Sequence, residues 1–270
     1  MIASLARARD IIATGLGLAL GDMLARPARA RAVDRFEIQV YDGTAESPGE
    51  PGLELHLNGV PVGIATAVPP ELSPNHQTHM TLEGSLGLTR VWEIGAYLQS
   101  AVLADGSFAF GGTKLRSKFV TPPGWQRWLR LGCNFEVSWV PSSFEADRWG
   151  AEIRPIIAWE NARWEFAANP IVELSFTGAA PSFAPAVMAL VKIAGKVSLG
   201  VEYYGDIGPI SSPAALSEQQ HYLFEVVNLI AISDFELNAG IGEGLSHGSN
   251  DLIAKVIIGY AFPTLRSLHR

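Results

Sequence analysis

The stretch "LIAKVIIGYAF", residues 252–262, decides the fold. Every second residue is apolar: Leu252, Ala254, Val256, Ile258, Tyr260 and Phe262. Between them lie Ile253, Lys255, Ile257, Gly259 and Ala261. A period of two is a strand signal that sorts side chains onto two faces. In a soluble sandwich the apolar face turns inward to the core. In a membrane barrel it turns outward to lipid, and the lysine turns inward. One strand cannot separate these readings, so the rest of the chain must.

The same alternation recurs along the chain. It is found in "FEIQVY" (36–41), "LELHLN" (53–58), "MTLEGSLGL" (80–88) and "WEIGAYLQ" (92–99). It continues in "TKLRSKF" (113–119), "LRLGCNFEVSW" (129–139), "WGAEIRPIIAW" (149–159) and "WEFAANPIVELSF" (164–176). "VSLGVEYY" (197–204) and "FELNAGIG" (235–242) repeat it. In "HYLFEVVNLI" (221–230) Glu225 and Asn228 fall on opposite parity, which calls for a bulge at Val226–Val227 or one polar group facing the wrong way. After residue 32 no stretch keeps a helical period, and no run of apolar residues is long enough for a membrane helix.

Connections alternate in length. Tight ones are expected at Thr89–Val91, Glu160–Arg163, Ala194–Lys196 and Ser233–Asp234. Long ones, rich in Pro, Ser, Gly and acidic residues, are expected at 59–77, 140–148, 177–184, 205–219 and 243–250. Only 119–127 breaks the rule, as a long connection on the tight side. Short turns at one rim and long loops at the other are the pattern of outer-membrane barrels. The composition agrees: 48 % apolar and only 17 % charged, against roughly 25 % charged in ordinary soluble domains. The expected fold is therefore an all-β, antiparallel transmembrane β-barrel of about twelve strands, spanning 33–262. Counting back from the end, Leu53–Asn58 opens the twelve. "FEIQVY" would be a thirteenth, so residues 33–50 are expected as a periplasmic or lumenal segment.

Residues 1–32 read as a secretory signal peptide: Arg7 and Arg9, the apolar run "IIATGLGLAL", then small-x-small sites at Ala28-Arg29-Ala30 and Ala30-Arg31-Ala32. Five of the 20 basic and two of the 27 acidic side chains lie there, leaving 15 and 25. Residues 263–270 read as a short basic periplasmic tail. The net charge of −7 argues against a nucleic-acid partner. Cys133 is alone, so no internal disulfide can form.

With the apolar face outward, the lumen receives Glu54, Glu83, Glu93, Glu136, Glu152, Glu165, Glu173, Glu202, Glu225 and Glu236, and also Lys114, Arg116, Lys118, Arg130, Arg154, Lys192 and Lys255. Val137, Ile153, Val172 and Ile258 face lipid. Trp139, Trp149, Trp159, Trp164, Tyr260 and Phe262 fall at strand ends, as an interfacial aromatic girdle does. Lys114, Arg116 and Lys118 form a basic cluster where an anionic group of a solute could pause. Such a barrel is expected to be a passive channel or transporter for a small solute, with weak cation preference. A barrel with a filled, salt-bridged lumen acting through its loops is the alternative.

Tyr260 and Phe262 near the end of the last strand resemble the C-terminal signal of outer-membrane proteins, which the barrel assembly machinery reads. The chain runs eight residues past Phe262, where most such proteins stop. "FEIQVYDGTAESPGEPGLELHLN", "EIRPIIAWE", "VEYYGDIGPI" and "FELNAGIGEGL" are similar to uncharacterised proteobacterial outer-membrane barrels, distant relatives of the meta-pathway phenol-degradation transporter-like family. That resemblance implies a fold and a place in the outer membrane, with its lipid as surroundings, and no established activity.

Two motifs carry other chemistry. "SHGSN" (246–250) resembles the His-x-Ser-Asn motif of lipid A deacylases, with His247 as base and Ser249 as nucleophile. Its glycine-bearing loop suits a polar surface instead, so a membrane-embedded lipid hydrolase ranks last and no catalytic residue is assigned. His76 and His79 with Glu71 offer a metal pair, but a metal wants three or four pre-organised ligands. His56 reads as a hydrogen-bonded lumen filler. No metal and no cofactor is expected.

Overall fold

The computed structural model describes residues 33–232 and 235–262; the expected signal peptide, the Ser233–Asp234 turn and the 263–270 tail lie outside the described residues. Thirteen strands follow in order: β1 Pro51–Val62, β2 Thr78–Thr89, β3 Trp92–Val102, β4 Phe108–Val120, β5 Leu129–Trp139, β6 Trp149–Glu160 and β7 Trp164–Ser175. Then come β8 Ser182–Ala194, β9 Val197–Asp206, β10 Gly208–Pro209, β11 Gln220–Ile232, β12 Phe235–Gly244 and β13 Leu252–Ala261. Each long strand pairs antiparallel with its neighbours. β1 also pairs with β13, Leu55 opposite Ile258, and this seam closes the ring. β10 only adds two residues to the edge of β8, over the 207–219 loop. The result is a closed barrel of twelve strands, which leaves no long unpaired edge.

The barrel is inside-out relative to a soluble protein. Leu98, Leu115 and Ile241 on the outer face are 57 %, 64 % and 61 % exposed, while Arg154, Lys255 and Glu83 on the inner face are 2 %, 1 % and 2 % exposed. That contrast selects the membrane reading of the alternating pattern. Val137 is exposed, and Ile153, Val172 and Ile258 share the outer parity of their strands.

Two of the sequence expectations need correction. The β11 register runs without a bulge from Gln220 to Leu229 against β9 and through Val226–Val227 against β12. Asn228 therefore turns inward and Glu225 outward, where it is exposed. It does not belong to the lumen, because strand pairing on both sides outweighs the cost of one carboxylate on the outer face. Strands also extend into the expected long loops: β1 reaches Val62, β8 starts at Ser182 and β9 reaches Asp206. The 103–107 connection on the long-loop rim has only five residues.

One weak place in the wall has a local cause. The β6–β7 pairs lapse between Ile153↔Val172 and Ile157↔Ala168. Pro155 and Pro170 sit midway through that gap, and Pro170 faces Pro185 across β7–β8. Proline has no N–H to give to a ladder.

Candidate functional site

The lumen is occupied by the chain's own residues 33–42. Val33 N–H donates to Gln220 Oε1 (3.1 Å), and Arg35 pairs with Glu71 (3.4 Å), both at the long-loop rim. Nine residues later, the Asp42 carbonyl accepts from Arg130 Nε (2.7 Å) at the short-turn rim. Nine extended steps span about 30 Å, the height of the apolar band. The segment then runs along the rim, where Gly49 N–H donates to Gly87 O (2.7 Å), and enters β1.

"FEIQVY" keeps a strand's alternation without joining the sheet. Ile38 and Val40 pack on an apolar wall that includes Ala167, Ile171, Met188, Leu190, Phe224 and Ile253. Phe36 packs with Val140 and Phe144, edge-on to the latter at 5.2 Å. Glu37 and Tyr41 face the charged wall, where Tyr41 Oη donates to Glu37 Oε1 (2.9 Å). Five of its peptide groups are met by wall side chains, since buried backbone needs partners. Thr81 Oγ1 donates to Phe36 O (2.9 Å), Lys255 Nζ to Ile38 O (3.0 Å) and Arg154 Nη1 to Gln39 O (3.3 Å). Asn169 closes a two-way pair with Tyr41, accepting from its N–H (2.7 Å) and donating to its carbonyl (3.0 Å). Gly111 bulges out of the β3–β4 ladder, and a Cβ there would come within 2.4 Å of the Phe36 ring.

Most of the lumenal charges are mutually paired. Lys114 bonds Asp34, Glu37 (3.2 Å) and Glu136 (3.3 Å). Arg154 pairs with Glu152 (2.6 Å) and Glu37 (3.6 Å). Arg116 holds Glu83 and Glu93, both at 2.5 Å, and Lys118 also reaches Glu93 (2.9 Å). Lys255 pairs with Glu202. Arg130 joins Asp42 (3.3 Å), Glu160 (2.7 Å) and Glu165 (2.8 Å) near the short-turn rim, and Lys192 also reaches Glu160 (2.9 Å). Glu173 accepts from Ser182 Oγ (2.9 Å). The basic cluster expected to attract a passing anion is thus already neutralised, because Asp34 and Glu37 arrive on the segment and Glu83, Glu93 and Glu136 line the facing strands. The sequence reading missed Asp34, Glu37, Tyr41 and Asn169. The inward parity of Asn169 within the apolar β7 face was the available signal.

Two larger cavities remain, sharing no lining residue. One of about 580 Å³ opens among the long loops, lined by Arg35, Ile38, Asn58, Val60, Tyr222 and Ile253, among others. The other, about 530 Å³, lies toward the short turns, lined by Tyr41, Asp42, Glu54, Glu83, Lys118 and Glu236, among others. Ile38 lines the first and Gln39 the second, so the segment passes between them. At the rim, burial and the neighbouring Glu93 push the Glu46 carboxyl up to about 7.

The aromatic residues sit at two levels. Trp139 faces Trp149 across β5–β6 at the long-loop rim, and Phe110 stacks on Trp139 at 5.9 Å. Trp159, Trp164, Tyr260 and Phe262 are exposed at the short-turn rim, with Tyr260 and Phe262 in edge contact at 4.7 Å. The two suspected motifs are not assembled as sites. Ser249 is buried and its hydroxyl donates to His221 O (3.0 Å), whereas His247 is exposed. The His79 ring lies against Phe36 and Phe144 and bonds Gln77 Oε1 (3.0 Å). Among the described residues the cluster with metal-ligand spacing is Glu54, His56 and Glu83, not the 71–79 group. His56 Nε2 lies between the Glu54 and Glu83 carboxylates, and the buried Nδ1 has no hydrogen-bond partner.

No protein-family model matches the sequence, and no curated protein does. Solved structures match the fold. The COG4313 outer membrane channel from Pseudomonas putida F1 superposes with a TM-score of 0.56 at 10 % identity, over 84 % of this chain and 100 % of that one. The NanC porin gives 0.52 at 8 % identity, over 79 % and 100 %. The KdgM porin, solved with a disordered oligogalacturonate, gives 0.50 at 10 % identity, over 78 % and 99 %. The chain therefore has the fold of an outer-membrane β-barrel, of the kind found in channels and porins.

Proposed function

We propose that the protein is a passive outer-membrane channel or transporter for a small solute. The observation that carries this reading is an apolar outer band around a lumen that keeps two cavities, one open toward each rim, with residues 33–50 between them. Lipid would surround the outer band. The barrel assembly machinery would read the last strand, with its Tyr260 and Phe262. Residues 1–32 would direct export, so the mature chain is expected to begin near Arg31 or Val33; N-terminal sequencing of outer-membrane protein checks this, and Met1 retained there would reject it. A COG4313 channel and two porins among the fold neighbours fit the same role.

The test is single-channel conductance of the intact protein and of a variant lacking residues 34–42. A small conductance in the intact protein that grows several-fold in the variant is expected. A second reading, a barrel with a filled lumen acting through its loops, is favoured by the packed segment itself. It is the right one if the intact protein does not conduct while the variant does. Silence in both would reject the channel.

A further inference from the structure

We propose that Glu54, His56 and Glu83 form a binding site for a divalent transition-metal ion on the inner wall of the barrel. The three converge through strand geometry. Glu54 and His56 are two apart on β1 and so share the inner face. Glu83 on β2 lies directly opposite Glu54. Like charges directly opposite destabilise a ladder unless something lies between them. The His56 Nε2 atom lies 3.3 Å from Glu54 Oε2 and 3.4 Å from Glu83 Oε2. Those separations match the edge of a tetrahedron about a metal with bonds of about 2.1 Å, roughly 3.4 Å.

Two independent observations point to a cation site. First, the His56 side chain is 0 % exposed, its Nδ1 has no partner, and its Nε2 meets only the two carboxylate oxygens, without a well-formed hydrogen bond to either. Buried polar atoms are rarely left so without a ligand. Second, the Glu83 carboxylate is oriented from behind. Arg116 Nε donates to its Oε1 (2.6 Å), which turns Oε2 toward His56. Such outer contacts are how metal ligands are held in place. Entry is open, because Glu54 and Glu83 line the cavity on the short-turn side. One imidazole with two carboxylates suits Zn²⁺, Co²⁺ or Mn²⁺. Water would complete the coordination.

Co²⁺ titration of the folded, metal-stripped barrel in detergent tests this, read by visible absorption, with Zn²⁺ as competitor. One Co²⁺ per chain, displaced by Zn²⁺, is expected. Glu54→Gln, at a partly exposed position, should weaken binding by about tenfold or more, and His247→Gln in the exposed loop should leave it unchanged. X-ray absorption of the cobalt form should give one imidazole among oxygen ligands. No saturable Co²⁺ uptake overturns the site, as does unchanged affinity in Glu54→Gln, lost affinity in His247→Gln, or several imidazoles on the metal. His56→Gln should abolish binding; if it does not fold, Glu54→Gln and the absorption spectrum decide.

Discussion

Lys114 joins three carboxylates, two from the segment and one from β5, on a single ammonium. Removing one partner of a buried ion pair leaves the others uncompensated. Lys114→Ala should therefore lower barrel stability by about 3–5 kcal/mol, read as an earlier midpoint in urea, and should raise conductance as Asp34 and Glu37 come loose. Glu46 behaves in the opposite sense at the rim. Its folded pKa of about 7 lies above that of a free carboxyl, so its docking is unpenalised at low pH and weakens as pH rises from about 4.5 through 7. Hydrogen exchange at 44–50 should accelerate over that window, and Glu46→Gln should abolish the change. At this scale the sequence was legible by parity: Lys114, Arg116, Glu136, Arg154 and Glu202 alternate with apolar neighbours, and all are buried. Their partners were not legible, because Asp34 and Glu37 are about 80 residues from Lys114 and no local pattern records that meeting.

Alternation identifies an element with two unlike faces, but it does not say what each face meets. For β13 the apolar face meets lipid; for "FEIQVY" it meets a lumenal wall of Ala, Ile, Leu and Met side chains. That is why strand count and closure could be read while the place of residues 33–50 could not. β11 teaches the same lesson from the other side. Its sequence left Glu225 and Asn228 in conflict, and only the registers with β9 and β12 resolve it. Glu225 on the outer face costs stability in a bilayer. Glu225→Leu should stabilise the barrel in lipid, by less than the about 2–4 kcal/mol that an arginine at midplane costs. Val137→Arg should show that larger penalty. Equilibrium unfolding in liposomes measures both; no loss in Val137→Arg would mean that this face is not in lipid.

Across the whole molecule, paired charges leave a modest acidic balance at both cavities. Arg35 stands against Glu71, Asp147 and Glu218 on the long-loop side. A weak cation preference is expected in reversal-potential measurements under a salt gradient, fading at high salt as the charges are screened. A clear anion preference would contradict it. The expected basic cluster no longer enters this reckoning, since its charges are held internally. The ring and its buried occupant also impose an order of events. The seam joins Leu53 to Tyr260, strands from opposite ends of the chain, so it bears the longest loop to close. Residues 33–50 lead directly into that seam strand, yet their anchors include Arg154 on β6, Asn169 on β7 and Lys255 on β13. The last of those anchors exists only once β13 is in place, and a finished ring would have to be threaded from end to end. The segment is therefore best accommodated while the seam is still open, so that capture of the first residues and closure by the last become one step in time.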